Sequence, residues 1–118
     1  MSKASPTSKA LRDFRALGYR IEKVEQRLPI PGKFITRDLF DTFDLIGVKV
    51  GVPLLAVQVT SRDNINARMT KAQQKGAALE WVQCQGRFLV IGYGGVKTTK
   101  RVVELLPDGM WQDRTQLT

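Results

Sequence analysis

The segment Leu54 to Thr60, Leu-Leu-Ala-Val-Gln-Val-Thr, is apolar at nearly every position. A run of this kind reads as a strand, and apolar side chains at both parities need cover on both faces of the sheet. Just upstream, Phe43 to Val50 carries Leu45, Ile46, Val48 and Val50 and forms a second strand. Gly51-Val52-Pro53 separates the two closely enough for a hairpin. A chain organised around such a strand is expected to be α/β, with helices packed on a central sheet.

The rest of the pattern fills in around this hairpin. Residues 1–7 read as a flexible leader. A helix follows, with Leu11, Phe14 and Leu17 at helical spacing, Ser8 or Thr7 as its cap and Gly18 as its stop. Tyr19 to Leu28 is expected as a first strand, broken by Pro29, Pro31 and Gly32. After the hairpin, Ser61 or Asp63 caps a helix from about Asn64 to about Ala77, whose buried stripe is Ile65, Met69, Ala72 and Gly76. Strands are expected at Leu79 to Cys84 and Arg87 to Tyr93, with the Gln85-Gly86 turn between them. Trp81 and Phe88 read as core. Val102 to Leu106 fits a strand or a helical turn. The single domain spans residues 8–106, and residues 107–118 read as a polar tail anchored by Trp111. The expected order is α-β-β-β-α-β-β.

Composition removes several chemistries. There is no histidine, so Cys-His and Ser-His nucleophile pairs and His-ligated metals are excluded. Any metal must be held by oxygens, which favours magnesium or manganese. The single cysteine, Cys84, cannot form an internal disulfide, and its apolar surroundings suggest a core position. No apolar run reaches bilayer-spanning length, and no membrane partner is expected. Met1 to Ser8 lacks the apolar segment of a secretory signal, so a cytoplasmic location is expected. The formal charge is +8, from 19 basic and 11 acidic residues, which points to a polyanion such as nucleic acid as partner.

Polar residues intrude on the apolar hairpin. Side chains two apart share a face of a strand, so Gln58 and Thr60 point the same way, and Asp44 lies within reach across the hairpin. An aspartate opening an apolar strand is costly if unpaired, as is a glutamine inside Leu55-Ala56-Val57-Gln58-Val59. Either the two satisfy each other structurally or they share a site.

This constellation resembles the PD-(D/E)XK nuclease superfamily of restriction endonucleases and Holliday-junction resolvases. Asp44 stands where that family has its aspartate, Gln58-Val59-Thr60 where it has Glu-x-Lys, and a basic helix follows. The resemblance covers roughly the first two-thirds of the chain. It implies a restriction-endonuclease-like αβββαβ core with a mixed central sheet flanked by helices. It also implies a magnesium- or manganese-dependent endonuclease acting on DNA, branched or structured DNA included, and working as a homodimer. Asp44 and Gln58 would bind the ion. Thr60 departs from the pattern, because a hydroxyl cannot replace the charge of the lysine that positions or activates water. The resemblance further implies an extra acid from the first helix or strand, for which Glu25 is preferred and Glu22 is the alternative. Asp38 and Asp41 precede the key strand and read as loop caps or ion-pair partners, with Asp41 able to join the site if the loop folds back. Arg62 or Lys71 could supply the absent lysine's charge, but both read more simply as nucleic-acid-binding residues.

Further basic residues complete an expected nucleic-acid surface. Arg68, Lys71 and Lys75 share a helix face suited to phosphates, and Asn64 and Asn66 lie near the start of that helix. Lys97 and Lys100 lie in a Gly-rich loop that lacks phosphate-loop spacing but suits backbone contact. Tyr19, Tyr93 and Trp111 are able to stack on bases, although packing explains each as well. Two other functions fit the sequence. One is a non-catalytic nucleic-acid-binding protein on a degenerate nuclease scaffold; the other is a protein-interaction module such as a small inhibitor.

Overall fold

The structure, a computed structural model, describes residues 5–94 and 99–115. The elements run α1 (Pro6–Ala16), β1 (Arg20–Lys23), β2 (Glu25–Ile30), β3 (Lys33–Asp38), β4 (Leu45–Val48) and β5 (Leu55–Ser61). A 3-10 turn (Arg62–Asn64), α2 (Ile65–Lys75), α3 (Ala77–Gln83), β6 (Arg87–Tyr93), β7 (Lys100–Leu105) and β8 (Trp111–Asp113) follow. The protein is α/β, with a mixed six-stranded sheet in the order β1-β4-β5-β6-β7-β8 and a separate β2-β3 hairpin. Among the described residues the central β5-β6 pair is parallel and the other neighbours are antiparallel.

The central strand is buried on both faces, as its composition requires. Leu55 and Val57 join Leu89, Ile91 and Tyr93 beneath Ala10 and Phe14 of α1. Ala56 joins Phe88 and Val90 beneath Ile65 and Ala72 of α2 and Ala78 and Val82 of α3. Parallel strands need a covering crossover, and α2-α3 supplies it. The expected strand Leu79 to Cys84 therefore belongs to helix α3. Its buried residues, Ala78 and Val82, are spaced by four, and short apolar runs do not distinguish helix from strand by themselves. Gly76, at φ 82°, provides the left-handed break between α2 and α3. The correction also moves Cys84 from the core to an exposed helix end.

The first expected strand divides in two. Val24 donates its N–H to the Asp44 carbonyl and accepts at its own carbonyl from Leu39, at 3.0 Å in each case. The chain thus leaves the main sheet after Lys23 and turns into the hairpin. That hairpin continues through Pro29, which a narrow two-stranded ribbon tolerates, and reverses at Pro31-Gly32. Helix α1 starts earlier than expected. Ser5, rather than Ser8 or Thr7, is its cap, accepting from the Ser8 N–H at 3.1 Å. Val102 to Leu106 resolves as strand β7. Within the expected polar tail, Trp111–Asp113 adds β8 to its edge. Buried Glu104 ties these strands together, accepting from Arg87 at 2.9 Å and from Arg114 at 2.8 Å. Among the described residues no helix is long and apolar enough to cross a membrane.

Candidate functional site

Asp44 sits where β4 begins. Its N–H donates to the Val57 carbonyl at 2.9 Å, and its Oδ2 accepts from the Val59 N–H at 2.7 Å. The carboxylate is therefore hooked over the edge of the sheet, against β5. The preceding turn brings a second acid to it. Phe40 and Asp41 both adopt left-handed backbone, at φ 54° and 55°, and Leu39 bridges to Phe43. Such a tight reversal places the residues flanking the bridge, Asp38 and Asp44, side by side. Asp38 is in turn the register partner of Glu25 across the β2-β3 hairpin.

Glu25, Asp38, Asp44 and Gln58 line one cavity of about 250 Å³. Lys23, at the end of β1, and Arg68, on α2, bring positive charge to its wall, and Thr7 and Val59 complete it. Burial pushes the Asp44 carboxyl up to about 7, and the hydrogen-bonded Asp38 carboxyl adds to the rise. The Val59 N–H and the Arg68 guanidinium oppose it. Gln58 is only 3% exposed, yet its Oε1 is buried without a hydrogen-bond partner. An orphaned acceptor of this kind costs about 1–3 kcal/mol.

Two touching carboxyls and an unpartnered amide oxygen make an excess of acceptors, which either a proton or an oxygen-preferring ion relieves. Among the described residues, no group of three His, Cys, Asp or Glu side chains is arranged to hold a metal by itself. The donor set on offer is Asp44, Asp38 and the Gln58 carbonyl, with Glu25 on the same wall.

The other candidates lie elsewhere. Thr60 is buried and does not line the cavity. Glu22 is exposed on β1. Asp41 faces outward, accepting from Arg37 at 2.7 Å and lying 4.0 Å from Lys75. Arg62 and Lys71 are exposed outside the cavity wall, so neither stands beside Asp44 as a substitute for lysine. Lys100 is engaged with Asp13 at 3.3 Å, Asn66 accepts from Arg101 at 3.3 Å, and Lys97 lies outside the described residues. Asn64 precedes α2 without a side-chain cap bond. Phe88 and Trp81 pack around Phe43, as expected of core aromatics.

Lys23 carries no distinguishing signal in the sequence, and Asp38 reads there only as a loop acid. Lys23 and Glu25 straddle the residue at which the chain leaves the sheet. Asp38 and Asp44 flank a short reversal. Both pairings depend on where the strand breaks, which periodicity alone does not locate. No family model, curated protein or solved structure matches the chain.

Proposed function

We propose that the cavity at Asp44 is the active site of a divalent-cation-dependent DNA endonuclease of PD-(D/E)XK type. The observation that carries this reading is the meeting of Asp44, Glu25 and Gln58, whose side-chain oxygen is unpartnered, in the lining of one charged cavity, although they come from separate segments of the chain. The chain order supports it: α1, β1, β4, β5, α2 and β6 follow the αβββαβ sequence, with the β2-β3 hairpin inserted between the first two core strands.

In this reading Asp44, Asp38 and Gln58 would hold a magnesium or manganese ion, and Glu25, on the same wall, would orient a water. When bound, the ion polarises the phosphate and makes a water more acidic. The protein's own cations act on the substrate. Arg68 pairs with phosphate oxygens, a task suited to a guanidinium. Lys23 supplies, from β1, the positive charge that Thr60 does not bring. The Val59 N–H fixes the orientation of Asp44. Incubation of linear and branched DNA with magnesium or manganese should give cleavage that Asp44→Ala abolishes while DNA binding persists. Intact cleavage by that variant would remove Asp44 from the mechanism.

The position of Thr60 outside the cavity favours one alternative, a nucleic-acid-binding protein without catalysis. It predicts salt-sensitive binding and no product with either ion.

A further inference from the structure

A second charged cavity, of about 300 Å³, opens on the α1 face and is lined by Lys9, Arg12, Asp13, Tyr93 and Lys100. Its parts come from α1, the carboxyl end of β6 and the start of β7. Asp13 organises it. The Asp13 Oδ2 accepts from the Tyr93 hydroxyl at 2.8 Å and from Lys100 at 3.3 Å, and Oδ1 lies 3.4 Å from Arg12. Lys9 places its ammonium 5.8 Å from the centre of the Tyr93 ring. Asp13 and Tyr93 together gather three cations, and the surplus of positive charge is held in place before any ligand arrives.

The cavity's position relates it to the Asp44 site. The Asp44 cavity lies at Gln58 and Val59 of β5 and the second at Tyr93, the last residue of the adjacent strand β6, and α1 borders both: Thr7 lines one, and Lys9 and Arg12 line the other. At a rise of 1.5 Å per residue, Thr7 and Arg12 are about 7.5 Å apart along the helix axis.

We propose that the Lys9-Arg12-Lys100 cavity is a phosphate subsite that holds the polynucleotide backbone next to the Asp44 site, on the other side of α1. The proposal rests on the nucleic-acid reading of the Asp44 site. Arg12 and Lys9 contact backbone oxygens, while Asp13 and Tyr93 keep Lys100 aimed into the cavity. Phosphodiester is the chemistry recognised, whether in DNA or RNA.

The test uses the full chain and measures anisotropy of fluorescein-labelled 20-base-pair DNA and RNA duplexes over a salt series, without divalent ions. Lys9→Ala/Arg12→Ala should weaken binding about tenfold or more. It should also reduce the salt dependence by about one to two phosphate contacts, at about 0.9 per contact in log-log slope for B-DNA. Arg20→Ala/Lys33→Ala, which removes the same charge elsewhere, should leave that slope nearly unchanged. Circular dichroism of both double variants checks folding, and single substitutions replace any pair that fails to fold. Unchanged affinity and slope in Lys9→Ala/Arg12→Ala overturns the subsite, as does an equal loss in the control pair or no wild-type binding at low salt. The DNA and RNA arms tell which backbone is held. If the wild type binds through this cavity yet cuts neither duplex nor branched DNA in magnesium or manganese, the subsite stands and the nuclease reading falls. If it cuts but the slope does not change, the reverse holds.

Discussion

At the scale of single residues, the properties of the site come from Asp44. In metal-free protein its carboxyl titrates at about 7 instead of the ordinary 3.8. Between these values the folded chain keeps a proton that the unfolded chain has released. Folding stability therefore falls as pH rises from about 4 to about 7 and levels off above. The whole decline is at most a few kcal/mol, because each tenfold change in proton affinity is worth about 1.4 kcal/mol and solvent in the cavity screens part of it. Urea denaturation in EDTA at pH 4.5, 6 and 8 should show this decline in the wild type. Asp44→Asn keeps the acceptor for the Val59 N–H but has no charge to bury, so it should flatten the curve and be the more stable protein at pH 8. Manganese should reverse the order. At an ion concentration about a hundred times the dissociation constant, the wild type should gain about 3 kcal/mol, and Asp44→Asn should gain little. An equal response to manganese in both proteins would mean that the ion binds elsewhere. Gln58 offers a complementary measurement. Replacing it with Leu removes a buried, unpartnered oxygen, so the metal-free protein should be unchanged or more stable by about 1 kcal/mol. Its response to manganese should weaken.

At the scale of elements, the sheet depends on contacts that cross it. Phe88 is fully buried and stacks near Phe43 and Trp111. Phe88→Ala should cost about 3–5 kcal/mol in denaturant melts. Glu104 joins β6, β7 and the segment after β8 through two arginines. Although burial works against its charge, the Arg87 and Arg114 hydrogen bonds hold its carboxyl below the ordinary range. Glu104→Ala leaves those guanidinium groups unpaired and should cost about 1–3 kcal/mol at pH 7, less where acid protonates the carboxyl. The elements most legible in the sequence are those with unambiguous periodicity. The apolar strand at Leu54, the hairpin at Gly51, and a helix spanning Ile65, Met69 and Ala72 all appear close to their expected positions. Expectation and structure part where local pattern and global topology disagree. The segment after Gly76 has strand-like composition, but a parallel β5-β6 pair leaves room only for a helical crossover there. The polar-looking end carries a strand because β7 has an open edge and Trp111 has core to cover.

At the scale of the whole molecule, α1 borders both charged cavities, one at β5 and one at the end of β6, and this edge gives a +8 chain a place to direct its charge. Asp44 and Gln58 stand out in the sequence because two polar intrusions into an apolar hairpin need no tertiary information, whereas Glu25 comes only from the family resemblance and meets them in the cavity wall. Asp38 and Lys23 do not stand out, since their places depend on the reversal at Phe40-Asp41 and on the divergence at Val24. Parity alone puts Thr60 beside Asp44; in the folded chain it is buried and takes no part in the cavity wall. That this edge cuts phosphodiester bonds through Asp44 is tested most directly by the single-turnover cleavage rate of a branched DNA in magnesium at pH 8. The protein is held at saturating concentration over the DNA, for the wild type and for Asp44→Asn. The wild type should give product, and the variant should lose at least about a hundredfold in rate. Cleavage at the same rate in both, or none by the wild type in magnesium or manganese, would contradict a nuclease centred on Asp44.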